Sequence, residues 1–190
     1  MKTSCAALLW RSFCRDASGT VAVEFAFLLP ILLTLFLGCF EASNLLLAEI
    51  KLVDATETAA DLIGQTKAGN VLQTADFTNF DEAAIQVMTP LPTAGLQLAF
   101  ASVTYNSGAP VLDWHYEVNG AAPISLQSVA SGLGTNGSTD SVLVVRTTYT
   151  YTSPISYVLN ATYPLSSIAY GRPRYVVCVP SFLNVQSTCP

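Results

Sequence analysis

The chain has 190 residues, 51% of them hydrophobic and only 11% charged, with a formal net charge of −5. A soluble globular domain carries about 25% charged residues, so the composition excludes such a domain standing alone. It fits one apolar anchor followed by a weakly charged domain large enough for its own core, and the absence of any basic patch or Lys/Arg stripe excludes a nucleic-acid partner.

Residues 1–19 form a short polar-basic leader, with Lys2, Arg11 and Arg15 against Asp16, while the remainder is acidic. Basic residues just before an apolar span keep that end in the cytoplasm, which places the acidic bulk outside. The apolar run Val21 to Phe40 follows, interrupted only by Glu24, Pro30, Thr34 and Gly38. Twenty helical residues rise about 30 Å, the thickness of a bilayer core. Pro30 removes the hydrogen bond to the Ala26 carbonyl and predicts a kink or a locally melted turn. Glu41 to Gln65 contains no proline. Its apolar residues Leu45, Leu46, Ile50, Leu52, Val53, Leu62 and Ile63 recur with roughly helical spacing among Glu49, Asp54, Glu57 and Asp61. Gly64 offers an end signal and Gly69-Asn70 a firmer one. The pattern predicts one helix of about 45 residues, half in lipid and half amphipathic.

Phe77 to Met88 reads as a second helix, with Thr78 or Asn79 as cap, Asp81 and Glu82 in its first turn, and Pro90 and Pro92 as stops. Leu96 to Tyr105 alternates apolar with small or polar residues, Asn106 to Pro110 is a turn, and Val111 to Val118 returns as a strand closed by Asn119-Gly120. This is a hairpin. Ala121 to Asp140 is rich in Gly, Ser and Asn and reads as a loop. Ser141 to Thr152, rich in Val, Thr and Tyr, is a strong strand. Tyr175 to Val179 is expected as an edge strand limited by Pro180. The fold class is α+β: a long N-terminal transmembrane and amphipathic helix carrying a small head with an antiparallel β-sheet.

The cysteines divide along the same line. Cys5 and Cys14 precede the span and Cys39 lies near its far end. Cys178 and Cys189 stand near the C-terminus with ten residues between them, a spacing that suits a disulfide closing a short loop in an oxidising compartment. No C-x-x-C pair and no Cys/His cluster suggests a metal.

Glu24 is the costly residue. A charge at mid-bilayer costs roughly 2.5–3.5 kcal/mol on insertion scales, less near one end of the span, so a carboxylate here needs a partner or a purpose. Gly19-Thr-Val-Ala-Val-Glu24-Phe25-Ala26-Phe27-Leu-Leu-Pro30, with the later pair Gly38 and Glu41, resembles the N-terminus of TadE-like minor pilins, the pseudopilins of tight-adherence (Tad) pili. The resemblance is specific over Gly19 to Asn44. The hairpin with Trp114 and the Arg172-Pro173-Arg174 segment also look like features of these proteins.

That resemblance implies a substrate of a membrane prepilin peptidase, cut between Gly19 and Thr20. Gly19 lets the backbone enter a tight protease site, and cleavage frees an α-amino group on Thr20, with a reference pKa near 7.7–8. In a filament, Glu24, followed by Phe25, would pair with the Thr20 amine of a neighbouring subunit and fix the axial register. The resemblance implies a bacterial inner-membrane protein with a single span, residues 1–19 cytoplasmic and the head periplasmic. Its partners would be the prepilin peptidase, other minor pilins, the major pilin and the pilus assembly machinery. The expected division is a leader at 1–19, a helix at 20–65 (transmembrane to 40, amphipathic from 41) and a head at 66–190.

A rival signal is Leu35-Phe36-Leu37-Gly38-Cys39, which looks like a lipobox and would make the chain a lipid-anchored envelope protein acylated on Cys39. Phe36 and Leu37 are large for such a site. Gly132-Leu-Gly134-Thr-Asn-Gly137 matches G-x-G-x-x-G but lacks a leading strand, so it reads as a loop. His115, the only histidine, falls on the strand face opposite Trp114 and reads as an ordinary strand residue. Arg172-Pro-Arg174 reads as a solvated turn. The carboxylates are scattered, with no pair placed for acid–base catalysis. The chain is expected to be no enzyme and to hold no cofactor or metal.

Overall fold

The computed structural model describes residues 18–106, 108–133, 141–159 and 162–183. Helix α1 spans Ser18–Gly64. Pro30 lies inside it without interrupting the helix, so the melted turn expected there does not form. An unbroken helix keeps the backbone groups around Pro30 on the ladder, as a helix in apolar surroundings would need. Polar side chains along this stretch also turn inward. Thr34 Oγ1 donates to the Pro30 carbonyl at 2.8 Å, Ser43 Oγ to Cys39 at 2.8 Å and Asn44 Nδ2 to Phe40 at 3.0 Å. Each hides a polar group one turn back on its own helix.

Helix α2, Thr74–Met88, starts earlier than the sequence signals indicate. Its cap is Gln73, not Thr78 or Asn79, and the Asp76 carboxylate accepts the Gln73 N–H at 2.8 Å. An acid three residues into the helix answers an orphan donor that Thr78, already inside the helix, cannot reach. At its other end Lys51 Nζ of α1 donates to the carbonyls of Val87 and Thr89 at 2.9 and 2.7 Å. A cation at a helix C-terminus suits both the orphan carbonyls and the dipole.

Four strands form one antiparallel sheet in the order β2-β1-β3-β4: β1 Gln97–Asn106, β2 Ala109–Val118, β3 Val142–Thr152 and β4 Thr162–Gly171. The hairpin and β3 stand where the alternation puts them. Two assignments are corrected. Tyr175 to Val179 is no strand, although its backbone is used: Ser141 N–H donates to Val177 O at 2.9 Å, and Trp114 Nε1 donates to Val179 O at 2.8 Å. The fourth strand is Thr162–Gly171, which pairs with β3 through all ten of its residues from Thr152↔Thr162 to Leu143↔Gly171. Pro164 argues against a central strand, yet β4 is an edge strand, where a missing N–H costs nothing if it faces away from β3. A short helix α3, Leu126–Leu133, also occupies part of the expected loop.

The sheet has two apolar faces, as a period of two requires. Leu98, Phe100, Trp114, Leu143, Val145, Tyr149 and Tyr151 face the two long helices. Ala99, Ala101, Val103, Tyr105, Val142 and Val144 face Ile124 and α3 residues Val129 and Leu133. Helix α1 lies across β3 and β4 through Ala48, Leu52, Ala55, Ala59, Ala60 and Ile63. Alanines at most of these positions let helix and sheet approach closely, while Leu52 and Ile63, each 1% exposed, contribute roughly 1.5–3 kcal/mol apiece. Gly64 closes the helix where space is short, since a Cβ there would stand 3.3 Å from the Arg172 carbonyl oxygen. The Arg174 N–H donates to Gly64 O at 2.9 Å, and its guanidinium pairs with Asp61 at 2.8 Å. The expected solvated turn at 172–174 is thus exposed but tied to α1, by an ion pair of small energetic weight.

Candidate functional site

Helix α1 is two things in one element. From Val21 to Phe36 every residue is exposed, with Phe25 at 56%, Phe27 at 74% and Phe36 at 68%. This segment has a mean hydropathy of 2.3 over its most apolar window, and none of that window is buried inside the protein. Such a surface needs lipid or other apolar helices around it. From Glu41 onward the same helix dips into the core at Ala48, Leu52, Ala55 and Ala59. The chain therefore presents one apolar helix fit for membrane anchoring, continuous with the head's central helix.

The expected processing and assembly residues all lie at the free end. Ser18, Gly19 and Thr20 open α1, and a Cβ on Gly19 would meet nothing within 4 Å. Thr20 and Glu24 are four apart, hence neighbours on one helix face. Glu24 is exposed, and no described residue pairs with it. Phe25 points from the same exposed turn. Among the described residues the head thus brings nothing to Glu24, which leaves its carboxylate available to another molecule.

The carboxylate that the head does bind is Glu41, which sequence reading places in the motif without giving it a role. Glu41 is completely buried. Its Oε1 accepts the Tyr157 N–H at 2.6 Å, and its Oε2 accepts those of Val158 and Leu159 at 2.9 and 2.6 Å. The Ser153 hydroxyl is a further donor. Three successive N–H groups turned toward one carboxylate form a nest suited to an anion. Ser156, with φ 53°, and its bonds to Ser153 shape the bend that aims them. Loop 153–159 is thereby clamped to α1 where the exposed span ends. One turn earlier Gly38 passes beneath Val158, whose Cγ2 would stand 3.6 Å from an added Cβ. Replacing Glu41 by Gln leaves one oxygen facing three donors and is expected to lower the Tm by roughly 5–10 °C. Gly38→Ala, which adds only an ordinary contact, is expected to melt within a degree or two of wild type. Thermal melts of the two variants side by side check this.

Behind the clamp lie two buried phenols. Burial pushes the Tyr151 hydroxyl above its ordinary pKa; the nearby Ser153 hydroxyl opposes this and the Glu41 charge adds to it. Burial likewise raises Tyr149, with Tyr151 contributing. A raised folded-state value stabilises the fold fully below the unfolded pKa of about 10. That contribution is lost as pH climbs through the folded values. Stability is therefore expected to fall above about pH 10, and less steeply in Tyr151→Phe, as read from denaturant melts between pH 8 and 12.

The other flagged residues do little chemistry together. His115 is exposed and its Nδ1 lies 2.6 Å from Glu117 Oε1, on the face away from buried Trp114, as the alternation predicts. Gly132 and Leu133 fall in α3, and residues 134–137 of the G-x-G-x-x-G stretch lie outside the described residues. Cys178 is buried and disulfide-bonded, so its Sγ approaches Asp113 Oδ2 at 3.4 Å without a proton to donate. Its expected partner Cys189 lies outside the described residues, as do Cys5 and Cys14. Cys39 is a free, exposed thiol in mid-helix. No group of three or more His, Cys, Asp or Glu side chains among the described residues is placed to hold a metal.

Residues 19–61 match the sequence model of the family described as TadE-like protein. No curated protein and no solved structure matches the chain. The matched segment is nearly the whole of α1 and includes Gly19, Glu24, Gly38 and Glu41, so the long helix is TadE-like, and the head lies beyond the match.

Proposed function

We propose that this chain is a minor-pilin-like component of a tight-adherence pilus, processed by a prepilin peptidase between Gly19 and Thr20 and active in assembly or priming of the fibre. One observation carries the reading. The TadE-like segment is a membrane-length apolar helix that protrudes bare from its head, with Glu24 unpaired by any described residue. A lone anchor needs no carboxylate in its apolar stretch, whereas a subunit that packs against like helices gains a register-fixing contact from one.

In this reading the protein is not an enzyme and takes no cofactor. The leader stays cytoplasmic, α1 crosses the inner membrane once and the head is periplasmic, where a Cys178–Cys189 disulfide would survive. The peptidase, other minor pilins, the major pilin and the assembly machinery are its partners. Deletion of the chain is expected to abolish surface pili, and the wild-type sequence supplied in trans to restore them. Undiminished piliation in the deletion strain would count against a role in assembly and leave an envelope protein held by its helix or by lipid on Cys39.

A further inference from the structure

The head meets the membrane through a defined element. The apolar run ends at Phe40 after about 30 Å of helix, so Gly38 and Glu41 sit at the boundary of the hydrocarbon layer on the head's side. Loop 153–159 is fixed at that level, with Val158 over Gly38 and three of its N–H groups on Glu41. The loop nevertheless exposes Ile155 at 44%, Tyr157 at 60% and Val158 at 49%. Apolar side chains this exposed on a loop clamped by a buried carboxylate are not the product of loose packing.

The charge pattern points the same way. No Asp, Glu, Lys or Arg stands between Arg146 and Arg172, so most of β3, all of β4 and the connection between them are uncharged. The carboxylate nearest the loop, Glu41, is buried and taken up by backbone donors. The described face at this depth therefore asks for no desolvation of a charge. Tyr157 adds an amphipathic ring of the kind favoured at headgroup level.

We infer that loop 153–159 is a membrane-interface anchor: Ile155, Tyr157 and Val158 insert into the headgroup and upper acyl region of the leaflet beside α1, and Glu41 holds them there. The inference rests on the reading of α1 as a membrane span. It makes the head lie against the bilayer rather than swing above it on its helix.

Depth-dependent quenching tests it. The full chain is reconstituted in phosphatidylcholine vesicles containing lipids brominated near the headgroup or near the acyl terminus. Added emission relative to wild type is read for Leu32→Trp, Tyr157→Trp and Tyr175→Trp, with Val158→Trp as a second reporter of the loop. Position 32 is expected to be quenched by deep bromines. Positions 157 and 158 are expected to be quenched by shallow bromines with a blue-shifted maximum, and position 175, at the far end of the head, by neither. If position 32 is quenched while 157 and 158 behave like 175, the anchor is wrong and the span stands. If position 32 is also unquenched, the span itself is wrong and the anchor falls with it.

Discussion

Glu24→Ala is expected to leave the folded chain intact and to abolish the pilus. The two halves of that result come from the same geometry. Glu24 lies in the exposed part of α1, remote from the buried core, and no described residue depends on it. The variant head should therefore melt within about 0.5 kcal/mol of wild type, the range of surface substitutions. Assembly is another matter. A carboxylate inside an apolar helix bundle is tolerated when it meets a cation, and the cation that processing would create is the Thr20 α-ammonium of a neighbouring subunit. Removing the carboxylate leaves that ammonium buried without a partner in the fibre, the arrangement that makes breaking a buried pair far costlier than never having one. Glu24→Gln separates the parts played by charge and shape. If charge pairing is what matters, Gln fails as Ala does, by pilus shear assay and immunoblot against equal levels of membrane-inserted protein. Normal piliation in both variants would remove Glu24 from the assembly contact.

Phe77→Ala is expected to be the most damaging substitution in the head. Phe77 is fully buried at the centre of an aromatic cluster, stacked on Tyr116 at 4.3 Å and against Phe100 and Trp114 at 5.4 and 5.7 Å. It joins α2 to the β1–β2 hairpin, and Trp114 in turn reaches the C-terminal segment through Val179. Truncation opens a ring-sized void that Tyr116, Phe100, Trp114 and Phe80, the last at 6.0 Å, cannot close, so about 3–5 kcal/mol is expected in all from the lost burial, ring contacts and cavity. That is comparable to the whole stability of many small domains. The measurement is denaturant unfolding followed by Trp114 fluorescence; a loss under about 1 kcal/mol would mean that the cluster collapses around the gap. Phe77→Leu, which keeps most of the volume, should recover much of the loss.

The long helix, the hairpin and β3 were legible because their signals are local: a long apolar stretch, strict alternation, and Val/Thr/Tyr density. Strand β4 was hidden by Pro164 and by the small residues Ser166, Ser167 and Ala169, which look like a loop until an edge position makes them suitable. Helix α3 was hidden in a Gly/Ser-rich stretch whose apolar residues, Leu126, Val129 and Leu133, gain meaning only from the sheet face they cover. Tyr175 to Val179 looks like a strand but spends its backbone on a side chain and on a neighbouring loop. In the candidate site, Gly19, Thr20, Glu24 and Phe25 come from the resemblance of the N-terminal segment to TadE-like proteins, and spacing adds only that Thr20 and Glu24 share a helix face. The role of Glu41 could not be read, since its partners are main-chain N–H groups more than a hundred residues away, which carry no residue-type signal. What did mark it was its place: a carboxylate at the first position after the apolar run, where only a buried or paired charge suits a helix entering a folded domain.

The role of Glu24 and Thr20 in the pilus turns on where the mature chain begins. N-terminal sequencing of the protein from cells with and without the prepilin peptidase tests it directly. A start at Thr20 is expected when the peptidase is present, with the 1–19 leader retained when it is absent. A chain that keeps its leader in both, or that starts at a lipidated Cys39 and so lacks Glu24 altogether, would contradict it.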